Sequence, residues 1–391
     1  MNSDFLPRKA VSDELNASLK KNPVTALLGP RQAGKSTMAR LFATSPDHQF
    51  DLESPIDLAR LDPDAYGLLA SLTGVVVIDE IQQLPQLFAH LRVIVDHPYC
   101  RTRFLVTGSA SPALMSHTAE TLAGRVRFID MEGFHMGETG SRDWEMLWFR
   151  GGFPRSFLAE TDQDARLWIQ DFLKTYVMRD IQRLAGGGFS PQVLAKFLMM
   201  LAHYHGQFWN QKQVATSLSV DVKTVQKYIE VLEGAFLVRL LPPLEKNIGK
   251  RLRKSNKVYF RDSGLLHQLL RISNIEGLRN HDRIGASWEG FGIQQVLRVF
   301  KPGSEIGFWR TLAGSEVDLV FELEQGRVGF EFKCSTQPKV SRGTYESIKD
   351  LGLSCVYVIH PGETEFSISD KIKAVPLANL SVLAETTRSL G

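Results

Sequence analysis

Residues 29–36 leave this chain few alternatives for its fold, because they read Gly-Pro-Arg-Gln-Ala-Gly-Lys-Ser and match the phosphate-binding pattern G-x-x-x-x-G-K-[ST]. The apolar segment 24–28 predicts a buried strand before the loop, and residues 36–42 predict a helix after it. Strand, loop and helix occur in the order that the motif requires, so a chance glycine turn is the weaker interpretation. The loop therefore predicts an α/β domain.

The chemistry of this loop is that of polyphosphate binding. Its glycines let successive backbone N–H groups curl around a phosphate, while Lys35 can reach the β- and γ-phosphates and Ser36 can hold Mg²⁺. We therefore expect ATP and Mg²⁺ as cofactors. The residues predicted to contact the nucleotide are Gly29, Pro30, Arg31, Gln32, Ala33, Gly34, Lys35, Ser36 and Thr37.

A second apolar segment, residues 74–78, runs directly into Asp79 and Glu80. A strand that ends in Asp-Glu is common by itself, but after a phosphate loop it has the character of a Walker B element. Asp79 is expected to hold the Mg²⁺ with Ser36, and Glu80 is expected to act as general base on the attacking water. The two elements together favour an enzyme that hydrolyses ATP over a chain that only binds nucleotide.

Further candidates follow the third predicted strand, residues 103–107. Either Thr107 or Ser109 could orient the attacking water, and the alternative is a turn that only caps the next helix. Arg125 precedes the predicted strand 128–131, where a guanidinium could reach the γ-phosphate of a neighbouring subunit as an arginine finger. The other interpretation of Arg125 is an ordinary surface arginine.

The middle of the chain predicts a helical lid followed by a DNA-binding module. Residues 142–184 have apolar side chains at three- and four-residue steps. Residues 211–232 predict two short helices around a tight turn, with Asp221 as the cap of the second helix. The pair resembles a helix-turn-helix, although an ordinary helical hairpin fits the same pattern.

A basic segment between two predicted strands, 236–241 and 258–260, favours DNA as the partner. After a helix-turn-helix, such a segment is typical of a wing that neutralises phosphates, and a solvated run of charges is the alternative. The residues predicted to contact nucleic acid are Lys223, Thr224 and Lys227 on the second helix, and Lys250, Arg251, Arg253, Lys254 and Lys257 in the wing.

Four charged residues of the C-terminal part form a possible catalytic set. Glu289 lies on a predicted helix, Asp318 on a predicted strand, and Glu331 and Lys333 on the next strand. This order resembles the metal-dependent nucleases of the restriction-enzyme fold, in which the three carboxylates would bind Mg²⁺ and the lysine would orient water. Since Glu-x-Lys is a common tripeptide, the alternative is a set of salt bridges in a domain that only grips DNA.

The full series of motifs resembles one known family. After the Walker pair come Gly-Arg at 124–125, Gly-Gly-Phe-Pro at 151–154, Tyr-Val-Met-Arg-Asp-Ile at 176–181 and Gly-Ser-Glu-Val-Asp at 314–318. Together they resemble the AAA-type ATPases of bacteria and archaea that end in a domain of unknown function, number 4143. The resemblance covers nearly the whole chain.

This resemblance implies four domains and an assembly. The domains are an AAA+ P-loop core of five parallel strands (residues 1–136), a helical lid (137–188), a winged helix (189–262) and a restriction-endonuclease-like α/β domain (263–391). It also implies a homo-oligomeric ring, such as a hexamer, in which Arg125 completes the site of the next subunit.

The cysteine spacing and the apolar segments indicate where the protein acts. The three cysteines have no paired or metal-ligand spacing, no apolar run is long enough to cross a bilayer, and the first residues lack a signal-peptide core. We therefore expect a cytoplasmic protein without a membrane partner. The leading hypothesis is an ATP-hydrolysing DNA motor or remodelling protein of the helicase or branch-migration type. An ATP-gated, Mg²⁺-dependent endonuclease and a slow ATPase switch in signalling or defence remain the alternatives.

Overall fold

The computed structural model describes residues 6–62, 64–111, 122–140, 143–181, 190–244, 255–303 and 305–389. The chain divides into two compact units. The first comprises Met1–Gly133 with Glu230–Leu237, and the second comprises Phe134–Ile229 with Val238–Gly391. No helix in the described part of the chain combines the length and the apolar character that crossing a membrane requires.

The first unit is built on a sheet of five parallel strands in the order β2-β3-β4-β1-β5. Its strands are β1 (Val24–Leu28), β2 (Gln49–Asp51), β3 (Gly74–Asp79), β4 (Thr102–Gly108) and β5 (Val126–Asp130). Its helices are α1 (Lys9–Lys21), α2 (Lys35–Arg40), α3 (Pro55–Leu61), α4 (Ala65–Ser71) and α5 (Leu87–Val95). The predicted α/β class with a parallel P-loop core is confirmed.

The apolar runs of the sequence become central strands because this sheet is buried on both faces. All five residues of β1 are buried. On one face, Leu27 of β1 and Leu105 of β4 join a core that Leu15 of α1 completes. Because all five strands run in the same direction, their carboxyl ends meet at one edge, which is where α/β sheets bind their ligands.

The second unit begins with helices that occupy the region of the predicted lid. They are α6 (Met136–Thr139), α7 (Trp144–Arg150), α8 (Pro154–Phe157) and α9 (Asp162–Phe172), and α9 continues into a π-helical segment, Leu173–Asp180. The rings of Phe153, Trp168, Phe172 and Tyr176 pack against one another along this stretch, with centroids 4.9–5.6 Å apart.

Next come three helices and a small antiparallel sheet in the order β6-β8-β7. The elements are α10 (Pro191–Tyr204), β6 (Gln207–Phe208), α11 (Gln211–Leu218), α12 (Val222–Gly234), β7 (Val238–Leu241) and β8 (Lys257–Phe260). As predicted, Asp221 caps α12, since its Oδ1 accepts a hydrogen bond from the backbone N–H of Thr224 at 2.8 Å. Four predicted wing residues lie outside the described residues, namely Lys250, Arg251, Arg253 and Lys254.

The C-terminal part is an α/β domain with its own mixed sheet of six strands, in the order β13-β14-β12-β11-β10-β9. The strands are β9 (Ile306–Arg310), β10 (Glu316–Leu323), β11 (Gly326–Phe332), β12 (Cys355–His360), β13 (Phe366–Ser369) and β14 (Ile372–Pro376). The helices are α13 (Ser263–Leu269), α14 (Ile275–Arg279), α15 (Ile284–Phe300), α16 (Arg342–Leu351) and α17 (Leu380–Ser389). Strands β9, β10 and β11 form an antiparallel meander, and β11, β12 and β14 are parallel.

Candidate active site

The predicted phosphate loop connects β1 to α2 at the carboxyl edge of the parallel sheet. Gln32 and Gly34 take left-handed backbone conformations, with φ of 62° and 93°. Gly29 is required by close approach, because a Cβ there would lie 2.0 Å from the carbonyl oxygen of Met131. The N–H of Gly29 also donates to the carbonyl of Gly108 at 3.2 Å. The loop therefore lies against the end of β4 and the segment that follows β5.

Arg8 is a further anchor of this loop, and sequence reasoning missed it. Its guanidinium is buried and donates to the carbonyl of Ala33 at 3.3 Å, to that of Glu132 at 2.7 Å and to that of Gly133 at 3.2 Å. Arg8 thus ties the phosphate loop to the end of the segment after β5. A single arginine before an amphipathic helix has no local pattern that would have revealed this role.

Lys35 occupies the centre of the loop and is 3% exposed. Its Nζ donates to the carbonyl of Pro30 at 2.8 Å. Burial lowers the pKa of Lys35 to about 8, although the charges of Glu80 and Asp79 act in the opposite direction. The ammonium is therefore a desolvated cation, and the neighbouring carboxylates compensate only part of its charge. Such a cation is suited to binding a polyphosphate.

The acidic pair after β3 is held by two separate sets of hydrogen bonds. The hydroxyl of Thr107 donates to Asp79 Oδ1 and accepts from the backbone N–H of Glu80 at 3.1 Å. Ser109 Oγ donates to Glu80 Oε2 at 3.0 Å, and the amide of Gln82 donates both to that Oε2 and to Ser109 Oγ. Thr107 therefore contacts the predicted metal ligand, whereas Ser109 contacts the predicted base. Gln82 is a second residue that the sequence did not single out.

The backbone of Glu80 contributes to this arrangement, because its φ of 56° is left-handed. Such a conformation costs a non-glycine residue about 1–2 kcal/mol and is characteristic of functional sites. It ends β3 and begins a short 3₁₀ turn, Ile81–Gln83. The turn brings Gln82 beside the carboxylate that it binds.

The remaining predicted nucleotide contacts lie around the same loop. Arg31 forms an ion pair with Glu53, which also accepts a hydrogen bond from Gln83 at 3.3 Å. Ser36 and Thr37 lie in the first turn of α2, where Ser36 is partly buried and Thr37 is exposed.

Arg125 lies at the other edge of the sheet. Its carbonyl accepts a hydrogen bond from the N–H of Val24, the first residue of β1, at 3.2 Å, whereas the phosphate loop follows the last residue of β1. The guanidinium forms a bidentate pair with Asp96, with Nε–Oδ1 and Nη2–Oδ2 distances of 2.5 Å and 2.9 Å. The structure therefore does not bring Arg125 to the phosphate loop of its own chain.

The predicted nucleic-acid contacts divide into two groups. Lys223 and Lys227 are exposed on α12, and the Thr224 hydroxyl donates to Asp221 Oδ2 at 2.9 Å. Lys257 differs from the prediction, because it is 3% exposed and its ammonium lies among carboxylates. Lys257 begins β8 and points towards the C-terminal sheet, so a phosphate backbone at the surface would not reach it.

The predicted Mg²⁺ site of the C-terminal domain also requires correction. Glu289 and Asp318 both face Lys257, at 3.0 Å and 3.8 Å, whereas Glu331 pairs with Lys333 Nζ at 3.3 Å and accepts from the hydroxyl of Thr344 at 2.6 Å. In the described part of the chain, no group of three or more acidic, histidine or cysteine side chains is arranged to hold a metal ion. The residues do not fit the predicted metal, because lysine ammonium groups already pair with these carboxylates: Lys257 with Glu289 and Asp318, and Lys333 with Glu331.

Family models match three consecutive parts of the chain. They are an AAA domain at residues 21–140, a domain of unknown function (DUF8612) at 141–276 and another (DUF4143) at 284–380. Two relatives are the uncharacterized proteins Rv2008c of Mycobacterium tuberculosis and Mb2031c of Mycobacterium bovis. Each is 41% identical over 373 residues, which cover 95% of this chain and 84% of the relative.

Solved structures with similarity to this chain are more distant. The Walker-type ATPase of Pyrococcus abyssi is 16% identical, with 70% of this chain and 97% of that chain covered and a TM-score of 0.43. The Orc1 protein of Aeropyrum pernix, solved in complex with DNA, is 14% identical, with 68% and 93% covered and a TM-score of 0.31. On the match to the AAA domain and the identity to the mycobacterial proteins, the chain belongs to the family of P-loop ATPases in which an AAA domain precedes DUF8612 and DUF4143.

Proposed function

We propose that this ATPase is a DNA-binding motor or remodelling protein, in which hydrolysis at the phosphate loop changes a grip on DNA made by residues 190–260. The observation that carries the proposal is the module of α10, α11, α12 and the sheet β6-β8-β7. In a winged helix, a helix-turn-helix is followed by two antiparallel strands and the connection between them, and the elements of this module occur in the same order. The connection between β7 and β8 is the basic segment at 245–254.

The exposed face of α12 supports DNA as the partner. Val225 and Ile229 are fully buried, so this face of the helix is turned away from solvent. Lys223 and Lys227 lie on the opposite face, exposed to solvent. A helix that buries one face and presents cations on the other is the arrangement used by recognition helices in the major groove. These cations would bind phosphates and position the protein, so sequence specificity is not part of the proposal.

At the ATPase site, we assign the following roles. The loop at 29–36 binds the polyphosphate through its backbone N–H groups, and Lys35 neutralises its charge. Ser36 and Asp79 would hold a Mg²⁺ ion, which supplies charge neutralisation at the phosphates when it is bound. Glu80 accepts the proton of the attacking water, while Ser109 and Gln82 orient its carboxylate.

The location of Arg125 supports a site that two subunits share. An arginine at the amino edge of the sheet cannot serve the phosphate loop of its own chain at the carboxyl edge, but it can serve a neighbouring copy in a ring. In the isolated chain, its charge is satisfied by Asp96. Assembly would exchange this exposed ion pair for the nucleotide of the next subunit.

The DNA part of the proposal is tested by the salt dependence of binding. We expect Lys223→Ala combined with Lys227→Ala to weaken binding to duplex DNA and to reduce the slope of log K against log salt by about 1.8, because each phosphate contact contributes about 0.9. The matched control is Lys20→Ala with Lys21→Ala, two exposed lysines of α1. An equal slope in the two double variants would remove α12 from the interface.

The shared site is tested by mixing inactive variants. We expect Lys35→Ala and Arg125→Ala to be inactive separately and to recover about a quarter of wild-type turnover when they co-assemble in equal amounts, because a quarter of the interfaces then carry both residues. Asp96→Ala is the control, since it removes the intramolecular partner of Arg125 and leaves the finger intact. Normal turnover by Arg125→Ala alone, or no recovery in the mixture, would refute a shared site.

A further inference from the structure

The C-terminal domain contains a partly buried cluster of three carboxylates, Glu289 of α15 with Glu316 and Asp318 of β10, which we call the acidic cluster. Their side chains are 19%, 23% and 12% exposed. The ammonium of Lys257, from the first residue of β8, lies among them. Its Nζ is 2.6 Å from Glu316 Oε1, 3.0 Å from Glu289 Oε1 and 3.8 Å from Asp318 Oδ1. The Lys257 side chain is 4% exposed, so this charge is almost completely withdrawn from water.

The oxygens of the acidic cluster have further donors from the protein. Glu316 Oε2 accepts from Arg310 Nη1 at 2.7 Å. Glu289 Oε1 accepts from the hydroxyl of Tyr259, which lies on β8 with Lys257. Asp318 Oδ2 accepts from the backbone N–H of Phe332 at 3.2 Å. Each carboxylate is therefore engaged by Lys257 and by at least one other donor.

The pKa shifts of Lys257 and Asp318 agree with these distances. Burial opposes the charge on Lys257, but Glu289, Asp318 and Glu316 outweigh it and raise the pKa of the lysine above its ordinary value. Burial, together with Glu289, raises the pKa of Asp318 to about 8, although Lys257 acts in the opposite direction. Lys257 therefore stays charged and offsets part of the negative charge of the cluster.

We infer that Lys257 is the resident cation of the acidic cluster, so that this site is an ion-pair joint between β8 and the C-terminal sheet instead of a divalent-metal site. Carboxylates that lie close together and are partly withdrawn from water need a counter-charge, and here the chain itself supplies one. A divalent ion and the ammonium would compete for the same oxygens. The joint also connects the strand that follows the basic segment to β10 and α15, and so fastens the proposed DNA-binding module to the C-terminal domain.

The first experiment uses the wild-type chain, so its outcome does not depend on the folding of a lysine variant. Mn²⁺ is titrated into nucleotide-free protein and followed by electron paramagnetic resonance, with Asp318→Asn as the comparison. We expect the same number of bound Mn²⁺ ions in both proteins, because the ammonium of Lys257 already occupies the position among the carboxylate oxygens that the ion would need. A Mn²⁺ site that is present in the wild type and lost in Asp318→Asn would overturn the inference.

The second experiment removes the resident cation while keeping the length of the side chain. Lys257→Met should acquire about one Mn²⁺ ion per chain, since oxygen ligands without a counter-charge favour such an ion. Its melting temperature should rise with added Mn²⁺, whereas that of the wild type should not. The matched control is Lys339→Met, a change at an exposed lysine of the same domain. A folded Lys257→Met variant that gains no Mn²⁺ site would also overturn the inference.

Discussion

The buried ammonium of Lys35 leads to a quantitative prediction for nucleotide affinity. Burial lowers its pKa to about 8, from an ordinary value of 10.5. Below about pH 8 the folded chain holds this lysine as a buried cation, which costs about 3 kcal/mol of folding stability. That stability returns between about pH 8 and pH 10.5, where the folded chain has lost the proton and the unfolded chain retains it. A bound polyphosphate offsets the same cost, because it supplies the missing negative charge.

The affinity for ATP should therefore follow the fraction of Lys35 that is protonated in the free protein. This fraction falls from about three quarters at about pH 7.5 to about 3% at about pH 9.5, provided that bound phosphates keep the lysine charged. The dissociation constant for ATP is expected to rise about 25-fold over this range. The remaining ionisation of ATP over this range adds negative charge and would strengthen binding, so a loss of affinity belongs to the protein.

The measurement is calorimetric titration of a non-hydrolysable ATP analogue into the wild-type protein, which keeps the charge of Glu80 beside Lys35. The control is Lys35→Met, and its weaker binding should show no comparable pH dependence. A change of less than about threefold in the wild-type protein would contradict the prediction, because it would place the pKa of Lys35 outside the pH range of the experiment. An equal slope in the Lys35→Met control would assign the pH dependence to another group.

Other predictions concern the residues that support the phosphate loop and Glu80. Gly29→Ala should lower the free energy of unfolding by about 1–3 kcal/mol and weaken ATP binding, because the new Cβ would lie 2.0 Å from a backbone oxygen. Urea denaturation measures the loss, and Gly285→Ala is the control because a Cβ at Gly285 would meet open space. Arg8→Ala should raise the KM for ATP more than it lowers kcat, with Arg8→Lys recovering only part of the loss, because one ammonium cannot replace three guanidinium contacts. Ser109→Ala should lower kcat about tenfold at unchanged KM, since it releases the carboxylate of Glu80; steady-state kinetics that show only a KM effect would reject this role.

The ATPase core could be predicted because its information is contiguous. The loop at 29–36 needs glycines and a lysine at fixed spacing, and the Asp79-Glu80 pair directly follows an apolar strand. Both signals depend on local backbone geometry and on burial of a strand, which neighbouring residues determine by themselves. The cap that Asp221 forms on α12 was predictable for the same reason.

Contacts between distant parts of the chain could not be predicted in this way. Arg8 reaches the carbonyl of Glu132 across 124 positions, and Lys257 reaches Glu289 across 32. In the sequence, nothing distinguishes Lys257 from the basic residues before it. Its side chain faces the interior only because of the way in which β8 packs. Which charges meet depends on how strands and helices pack, and burial then decides whether a lysine binds a phosphate at the surface or neutralises carboxylates in the interior.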